Sequence, residues 1–435
     1  MEQQEPQALG ERALVAQASL TGRRVEQPLA EITSLAQTAG AEVVDAVSQK
    51  LSRPHPGTYM GSGKVREVAD RAAELDVDII IADHDLSPAQ ERNLERLTSR
   101  KVVDRSQLIM DIFSQRAHSR QAKLQVELAQ LRYSLPRLKR MWTHLDRFKA
   151  GIGMRGPGET QLEEDKRLIG RRIQKLKHQL KRLEEKRQTS VMRRSNEFVT
   201  ALVGYTNAGK STLLNRLTDS HELVEDKLFA TLDTRVRRWD VSDNRYVLLT
   251  DTVGFIRNLP HHLVASFHAT LSETKEANLL LHVVDASSSE AEEQIDAVRD
   301  VLRRLDCAGK ETWIVFNKWD RIPEDRVVEA RHLDEKLRSN ERSFRVSAHT
   351  GAGLEKLREA MLKRLQQDDE YIELFVPHQR GDVVAYVQEN GQVRKIDYQT
   401  QGVYVEAALS PARMAKLKAM YAEGFPAAPK EAWEL

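Results

Sequence analysis

The stretch Gly204-Tyr205-Thr206-Asn207-Ala208-Gly209-Lys210-Ser211 decides the fold. It has the form G-x-x-x-x-G-K-S. It follows FVTALVG (198–204), an apolar run of strand character, and opens STLLNRL (211–217), which has helical spacing. Strand, glycine loop and helix in that order make a phosphate cradle. Glycines let the backbone wrap the phosphates, and the loop N–H groups and helix N-terminus favour anions. Lys210 has the length to reach β- and γ-phosphates, and Ser211 offers a hydroxyl to Mg²⁺. Gly61-Ser62-Gly63-Lys64 lacks the first glycine at the required spacing and reads as a turn.

Working outward, Asp251-Thr252-Val253-Gly254 ends the strand-like run YVLLTD (246–251). Its carboxylate can hold Mg²⁺ through water, and the Gly254 N–H can meet a γ-phosphate. Asn317-Lys318-Trp319-Asp320 ends the run WIVF. A carboxylate at Asp320 can accept from guanine N1–H and N2–H₂, a donor pair that adenine lacks. Asn317 would brace the phosphate loop and Lys318 would pack over the base. Ser347-Ala348, at the end of FRVSA (344–348), fits a turn whose N–H meets the guanine carbonyl. Between the first two motifs lies LFATLDTRVRR (228–238). Thr231 is the choice there to complete the Mg²⁺ shell, with Thr234 second. That segment is expected to order on GTP and relax after hydrolysis. The candidate nucleotide set also takes in Thr212, Phe229, Ala230, Leu232 and Asp233. The metal set is Ser211, Thr231 and Asp251.

Phe255 stands where many GTPases carry a water-orienting glutamine, so hydrolysis is expected to be slow without help. No catalytic residue is assigned. Asn207 resembles the asparagine of GTPases that bind K⁺ beside the phosphates; an asparagine that only shapes the loop is an equal reading. Arg235, Arg237 and Arg238 could act in cis, although solvated charges are the simpler account.

The chain has 435 residues, and its charge of +2 hides an asymmetry. Residues 116–195 hold 22 Lys/Arg against 8 Asp/Glu, a net +14 that leaves −12 elsewhere. Such a segment suits a polyanionic partner, with a solvated helix face as the bland alternative. Two helices are read there, with seams at Leu124, Leu128, Leu131, Leu135, Leu138, Trp142 and Leu145, and at Leu162, Ile169, Ile173, Leu176, Leu180 and Leu183. They flank the glycine-rich GIGMRGPGETQ (151–161) and form an antiparallel hairpin with arms of roughly 45 Å, the first kinked at Pro136. Before them, residues 1–115 alternate strand and helix patterns, as a small α/β domain does. Residues 196–366 form a second α/β domain with a parallel sheet, and 367–435 an α+β appendage with no assigned chemistry. The one cysteine, Cys307, excludes an intramolecular disulfide. No apolar run is long enough to span a membrane, and MEQQEPQALG lacks a signal-peptide pattern. A cytoplasmic monomer is expected.

The ordered motifs resemble the GTPase domain of the TRAFAC class. Together with R-G-P-G-E-T-Q-L-E (155–163), ATLDT (230–234) and DTVGFI (251–256), they resemble the HflX family over the whole chain. One departure is Arg235 directly after ATLDT, where many members have ATLDPT. The resemblance implies a multidomain α/β protein with a P-loop GTPase domain, GTP/GDP and Mg²⁺ as ligands, and K⁺ as an optional one. It implies binding to the ribosome and its large subunit, and splitting of stalled ribosomes under stress. It places the hairpin near the peptidyl transferase centre, against ribosomal RNA, and makes the ribosome the activator of hydrolysis. A basic arm with a glycine-rich tip suits that place. The RNA-contact candidates are Arg147, Lys149, Arg155, Lys166, Arg167, Arg171, Arg172 and Lys175. An ATP-dependent activity has been proposed for the family's N-terminal domain, where GSGK is the only phosphate-like motif. Two other readings use the same residues: a GTPase switch in large-subunit assembly, and a non-enzymatic RNA-binding scaffold. Intact Lys210, Ser211, Asp251 and Asp320 count against the scaffold.

Overall fold

The computed structural model describes residues 10–20, 29–140, 157–192, 197–220, 228–232, 235–242, 245–257, 260, 273–339 and 341–420. In the N-terminal unit, β1 (Arg12–Leu20), β2 (Glu42–Leu51), β3 (Ile79–Ala82) and β4 (Lys101–Asp104) form a parallel sheet ordered β2-β1-β3-β4. Helices α1 (Ala30–Ala39), α2 (Ser62–Glu74), α3 (Pro88–Thr98) and α4 (Arg105–Arg116) cover it. Ser87 and Gln90 start α3 with a reciprocal capping box. The α4 helix was not expected from the sequence; its apolar residues Leu108, Ile109, Ile112 and Phe113 are all buried.

The hairpin differs from expectation in its first arm. Helix α5 (Arg120–Ser134) runs for 15 residues and passes into a 3-10 turn at Leu135–Arg140. Pro136 supplies no N–H and crowds the carbonyl four residues back, so it ends the α-helix rather than kinking it. The second arm, α6 (Pro157–Met192), has 36 residues and is about 54 Å long. Part of the expected seam forms between them: Leu128, Ile173 and Leu176 are buried, with Leu124, Leu131, Leu135, Ile169 and Leu180 packed around them, while Trp142, Leu145 and residues 151–156 of the glycine-rich stretch lie outside the described residues.

The central unit has β5 (Val199–Gly204), β6 (Arg235–Ser242), β7 (Arg245–Asp251), β8 (Leu279–Asp285), β9 (Thr312–Asn317) and β10 (Arg342–Arg345), ordered β10-β9-β8-β5-β7-β6. All pairings are parallel except β6 on β7. That antiparallel edge strand was not expected, because the arginines of RVRR obscure its alternation. Arg238 lies there, ion-paired with Asp240 and stacked over the Tyr246 ring. Helices α7 (Lys210–Thr218), α8 (Ala291–Arg304), α9 (Val327–Arg338) and α10 (Leu354–Gln367) flank the sheet. Strand β10 stops at Arg345, which leaves Ser347-Ala348 in the following loop rather than in the expected strand.

The last unit pairs β11 (Glu370–Pro377) and β12 (Gln392–Gln399) on either side of β13 (Gly402–Leu409), antiparallel, with α11 (Gly381–Asn390) and α12 (Pro411–Met420) on its apolar face. Among the described residues no helix is long and apolar enough to cross a membrane.

Candidate functional site

The phosphate end is built where β5 gives way to α7. Gly209 has φ +88°, and a Cβ there would lie 2.3 Å from Asn317 Nδ2. Only glycine permits that backbone with Asn317 in place. Asn317 repays the close approach: its Nδ2 donates to the Ala208 carbonyl at 2.9 Å, and its Oδ1 accepts from Ala348 N–H at 2.9 Å. One side chain thus clamps the phosphate loop to the Ser347-Ala348 turn. Gly254 approaches from the other side, where a Cβ would meet Thr206 Cα at 2.8 Å. Thr206, Asn207, Gly209, Lys210, Ser211, Thr212, Phe229, Ala230, Thr231, Thr252 and Gly254 line the resulting pocket.

Lys210 is buried and donates to the Gly204 and Tyr205 carbonyls, at 3.2 and 2.8 Å. Burial pushes its ammonium down to about 8, which Asp251 opposes and Lys318 reinforces. Ser211 Oγ lies 2.8 Å from Thr231 Oγ1 and donates to Asp251 Oδ2 at 2.7 Å. Asp251 Oδ1 is buried with no hydrogen-bond partner. Burial raises the Asp251 carboxyl above its ordinary range, against the pull of Lys210. Two hydroxyls and a carboxylate with an unsatisfied buried oxygen are the donor set a hard cation takes. These three residues fit Mg²⁺, with Thr231 brought beside Ser211; Thr234 lies outside the described residues. Thr206 Oγ1 accepts from Phe229 N–H at 2.8 Å, tying the loop to segment 228–232, and Leu232 is buried. Thr252 Oγ1 donates to the Leu202 carbonyl at 2.7 Å, and Val253 is buried. Asn207 is exposed with φ +60°.

At the base end, Asp320 is exposed, and a hydrogen bond from Ser347 holds its carboxyl below the usual range. It therefore stays charged and oriented. Lys318, at φ +58°, places its Nζ 2.8 Å from Asp285 Oδ2. Asp285 Oδ1 in turn accepts from the Ser287 N–H and hydroxyl. The sequence reading missed Asp285, although its place at the end of β8 was a usable signal. The Trp319 side chain packs edge-on to Phe316, beneath Arg345.

The N-terminal unit packs against both segments, 228–232 and 251–256. Phe229 meets Phe113 of α4 edge-on, with ring centroids 4.7 Å apart. Phe229, Leu232, Val253, Phe255 and Ile256 belong to one buried cluster with Ile32, Leu35, Ile109 and Phe113 of the N-terminal unit. Phe255 is 1% exposed and supplies a core contact, so its side chain cannot orient a water. On the hairpin, Arg167, Arg171, Arg172 and Lys175 are exposed and Lys166 is half-buried. Arg172 is bound bidentately by Glu127, at 2.6 and 2.8 Å. Asp233, Arg147, Lys149 and Arg155 lie outside the described residues.

Three family profiles match in order: GTP-binding GTPase N-terminal at 26–114, GTP-binding GTPase middle region at 116–194, and 50S ribosome-binding GTPase at 199–318. The GTPase HflX of Escherichia coli K12 is 46% identical over 376 residues, covering 86% of this chain and 87% of its own. The chain belongs to the HflX family of GTPases. The HflX of Magnetococcus marinus is 42% identical and covers 94% of both chains. A GTP-binding protein of the archaeon Sulfolobus solfataricus, solved with GDP, is 26% identical over 81% of this chain and 98% of its own, with a TM-score of 0.43. As a member of the HflX family the chain is a GTP hydrolase.

Proposed function

We propose that this GTPase binds the large ribosomal subunit in its GTP form, splits stalled ribosomes, and hydrolyses GTP fastest when bound there. The observation that carries the reading is the burial of Phe229 and Phe255, one from each of the segments 228–232 and 251–256, in a core shared with the N-terminal unit. A change at the phosphates must then be felt by the domains that would enter the ribosome. The matching family profile described as a 50S ribosome-binding GTPase supports the partner.

In the site, the loop N–H groups and Lys210 hold the phosphates and Asp320 selects guanine. Ser211, Thr231 and Asp251 would hold Mg²⁺, which would supply neutralisation of the phosphate charge. Asn207 would be the residue to offer K⁺ an oxygen beside the phosphates. Gly254 N–H meets the γ-phosphate and Thr231 closes over it, which sets the GTP form of both motifs. The exposed cations of α6, with Arg147, Lys149 and Arg155, engage ribosomal RNA through its phosphates. Since Phe255 leaves the water unaligned, the ribosome completes the geometry, and hydrolysis releases the protein in the cytoplasm.

The test is sucrose-gradient sedimentation of intact ribosomes with the protein and a non-hydrolysable GTP analogue, alongside GTP turnover with and without large subunits. Loss of intact ribosomes and stimulated turnover are expected. Binding confined to immature particles, or turnover indifferent to ribosomes, would refute the reading.

A further inference from the structure

Strands β8 and β9 run parallel and end in register, so Asp285 lies beside Asn317, one residue before Lys318. Lys318 leaves β9 at φ +58°, and its side chain crosses the phosphate loop. Its Cε lies 3.9 Å from the place a Cβ on Gly209 would take, and its Nζ reaches Asp285 Oδ2 at 2.8 Å. The two side chains are only 19% and 18% exposed, so solvent screens the pair incompletely. A lysine stem has many rotamers. Fixed in advance, it can cover a base without losing that freedom at binding.

Asp285 is itself held. Its Oδ1 accepts from the Ser287 N–H at 3.0 Å and from the Ser287 hydroxyl at 2.6 Å, which leaves Oδ2 for the lysine. The carbonyls of this turn are taken from outside it. Arg326 donates to the Ser287 carbonyl at 3.0 Å and to the Ser288 carbonyl at 2.9 Å. A planar guanidinium that fills two adjacent carbonyls fixes their geometry better than a flexible ammonium could. Ser288 Oγ accepts from the Glu290 N–H and from Gln294 of α8, which secures the far side of the turn. Support thus runs from Arg326 to Ser287, from Ser287 to Asp285, and from Asp285 to Lys318. None of the first three lines the phosphate pocket.

We propose that Asp285 is a positioning residue for the guanine nucleotide: backed by Ser287 and Arg326, it presets the Lys318 stem across the face of the base and so sets how long GDP stays bound. The inference rests on the reading of Lys318 as the cover of the base. It concerns residence of the nucleotide, not the chemical step, and is independent of the ribosomal partner.

Release of a fluorescent GDP analogue, chased with excess GDP, tests it in the full-length protein, with single-turnover GTP hydrolysis measured in parallel. Asp285→Asn keeps an oxygen for Ser287 and turns an amide NH₂ toward Lys318 Nζ. It is expected to quicken release about tenfold, the worth of one hydrogen bond between charged groups. Ser287→Ala and Arg326→Ala act one and two steps back and should each quicken release about threefold; unchanged release in both overturns the support from Arg326. Hydrolysis at saturating GTP should stay within about twofold, because the phosphate contacts are intact. Inosine diphosphate lacks the N2 amine that Asp320 would take at the edge of the base. A contact on the face is indifferent to that edge, so Asp285→Asn should quicken its release by the same factor as that of GDP. A factor confined to GDP would assign the effect to the edge and overturn the proposal. Lys318→Ala separates the proposal from the reading beneath it. Fast release there, with the Asp285→Asn double variant no faster, supports both. Fast release in Lys318→Ala with unchanged release in Asp285→Asn overturns the proposal alone. Unchanged release in Lys318→Ala overturns the base reading and the proposal together. A general loosening of the fold would lower the melting temperature of the nucleotide-free protein and slow hydrolysis along with quickening release, and that result also overturns the proposal.

Discussion

Replacing Gly209 by alanine tests the clamp between the phosphate loop and the Ser347-Ala348 turn. Gly209 has φ +88°, where a side chain costs about 1–2 kcal/mol. The added methyl would sit 2.3 Å from Asn317 Nδ2, so Asn317 has to leave. Its departure breaks the bonds to the Ala208 carbonyl and the Ala348 N–H, both 2.9 Å long and buried. Each is worth about 1 kcal/mol net, and more where a buried partner is left unsatisfied. The sum is at least about 3 kcal/mol against the nucleotide-competent arrangement. That is a loss of about a hundredfold or more in affinity. Titration with a fluorescent GDP analogue measures it. Gly63→Ala in the look-alike GSGK is the control. A Cβ there meets nothing within 4 Å and Gly63 lies inside α2, so GDP affinity should be unchanged. The clamp argument fails if Gly209→Ala binds within about fivefold of the parent. The sequence reading of GSGK as a turn is corrected by the structure, which places Ser62–Lys64 at the start of α2, and its reading as a stretch without a phosphate role fails if the control loses affinity.

Two further outcomes follow from buried charged groups. Lys210 is held down at about 8 when its surroundings are protein alone, and bound phosphates stabilise its charged form. The complex then holds more protons than the free protein above that value, so GDP affinity should be level below pH 8 and fall as pH rises beyond it. Calorimetry at pH 8.5 in buffers of different ionisation enthalpy should show proton uptake, and none would contradict the assignment. At the junction with the last unit, Arg245 and Asp369 form a buried bidentate pair, 2.7 and 2.5 Å. Arg245→Ala leaves Asp369 buried and unpaired, a loss of about 3–5 kcal/mol. Lower thermal stability and faster proteolysis near residues 366–370 are expected; unchanged melting would show that the pair contributes nothing net.

The grouping of the candidate nucleotide-site segments was legible in the sequence because each is a short stretch at a strand end. A G-x-x-x-x-G-K-S loop, a D-x-x-G and an N-K-x-D each carry their own backbone requirement. Any fold that puts strand ends side by side brings them together, as β5, β7 and β9 do here. The hairpin seam was legible for the same reason, since its spacing is local. Pro136 shows the limit: its effect on its own helix is certain, but whether the helix bends or ends depends on what receives the chain afterwards.

Only the tertiary structure decided the rest. Strand β6 is an arginine-rich edge, and its pairing with β7 has no local signature. Asp285 acquires a role only because β8 lies beside β9 and delivers Lys318 to it. The sequence placed Phe255 where a glutamine is usual, but not that it would be buried beneath α4 with Phe229. Glu31, Arg105, Tyr205 and Arg257 hydrogen-bond to one another across two units, yet they are far apart along the chain, and nothing in their spacing joins them. Burial of Tyr205 and Arg105 removes water as their alternative partner, and that forces them to find polar groups across the domain boundary.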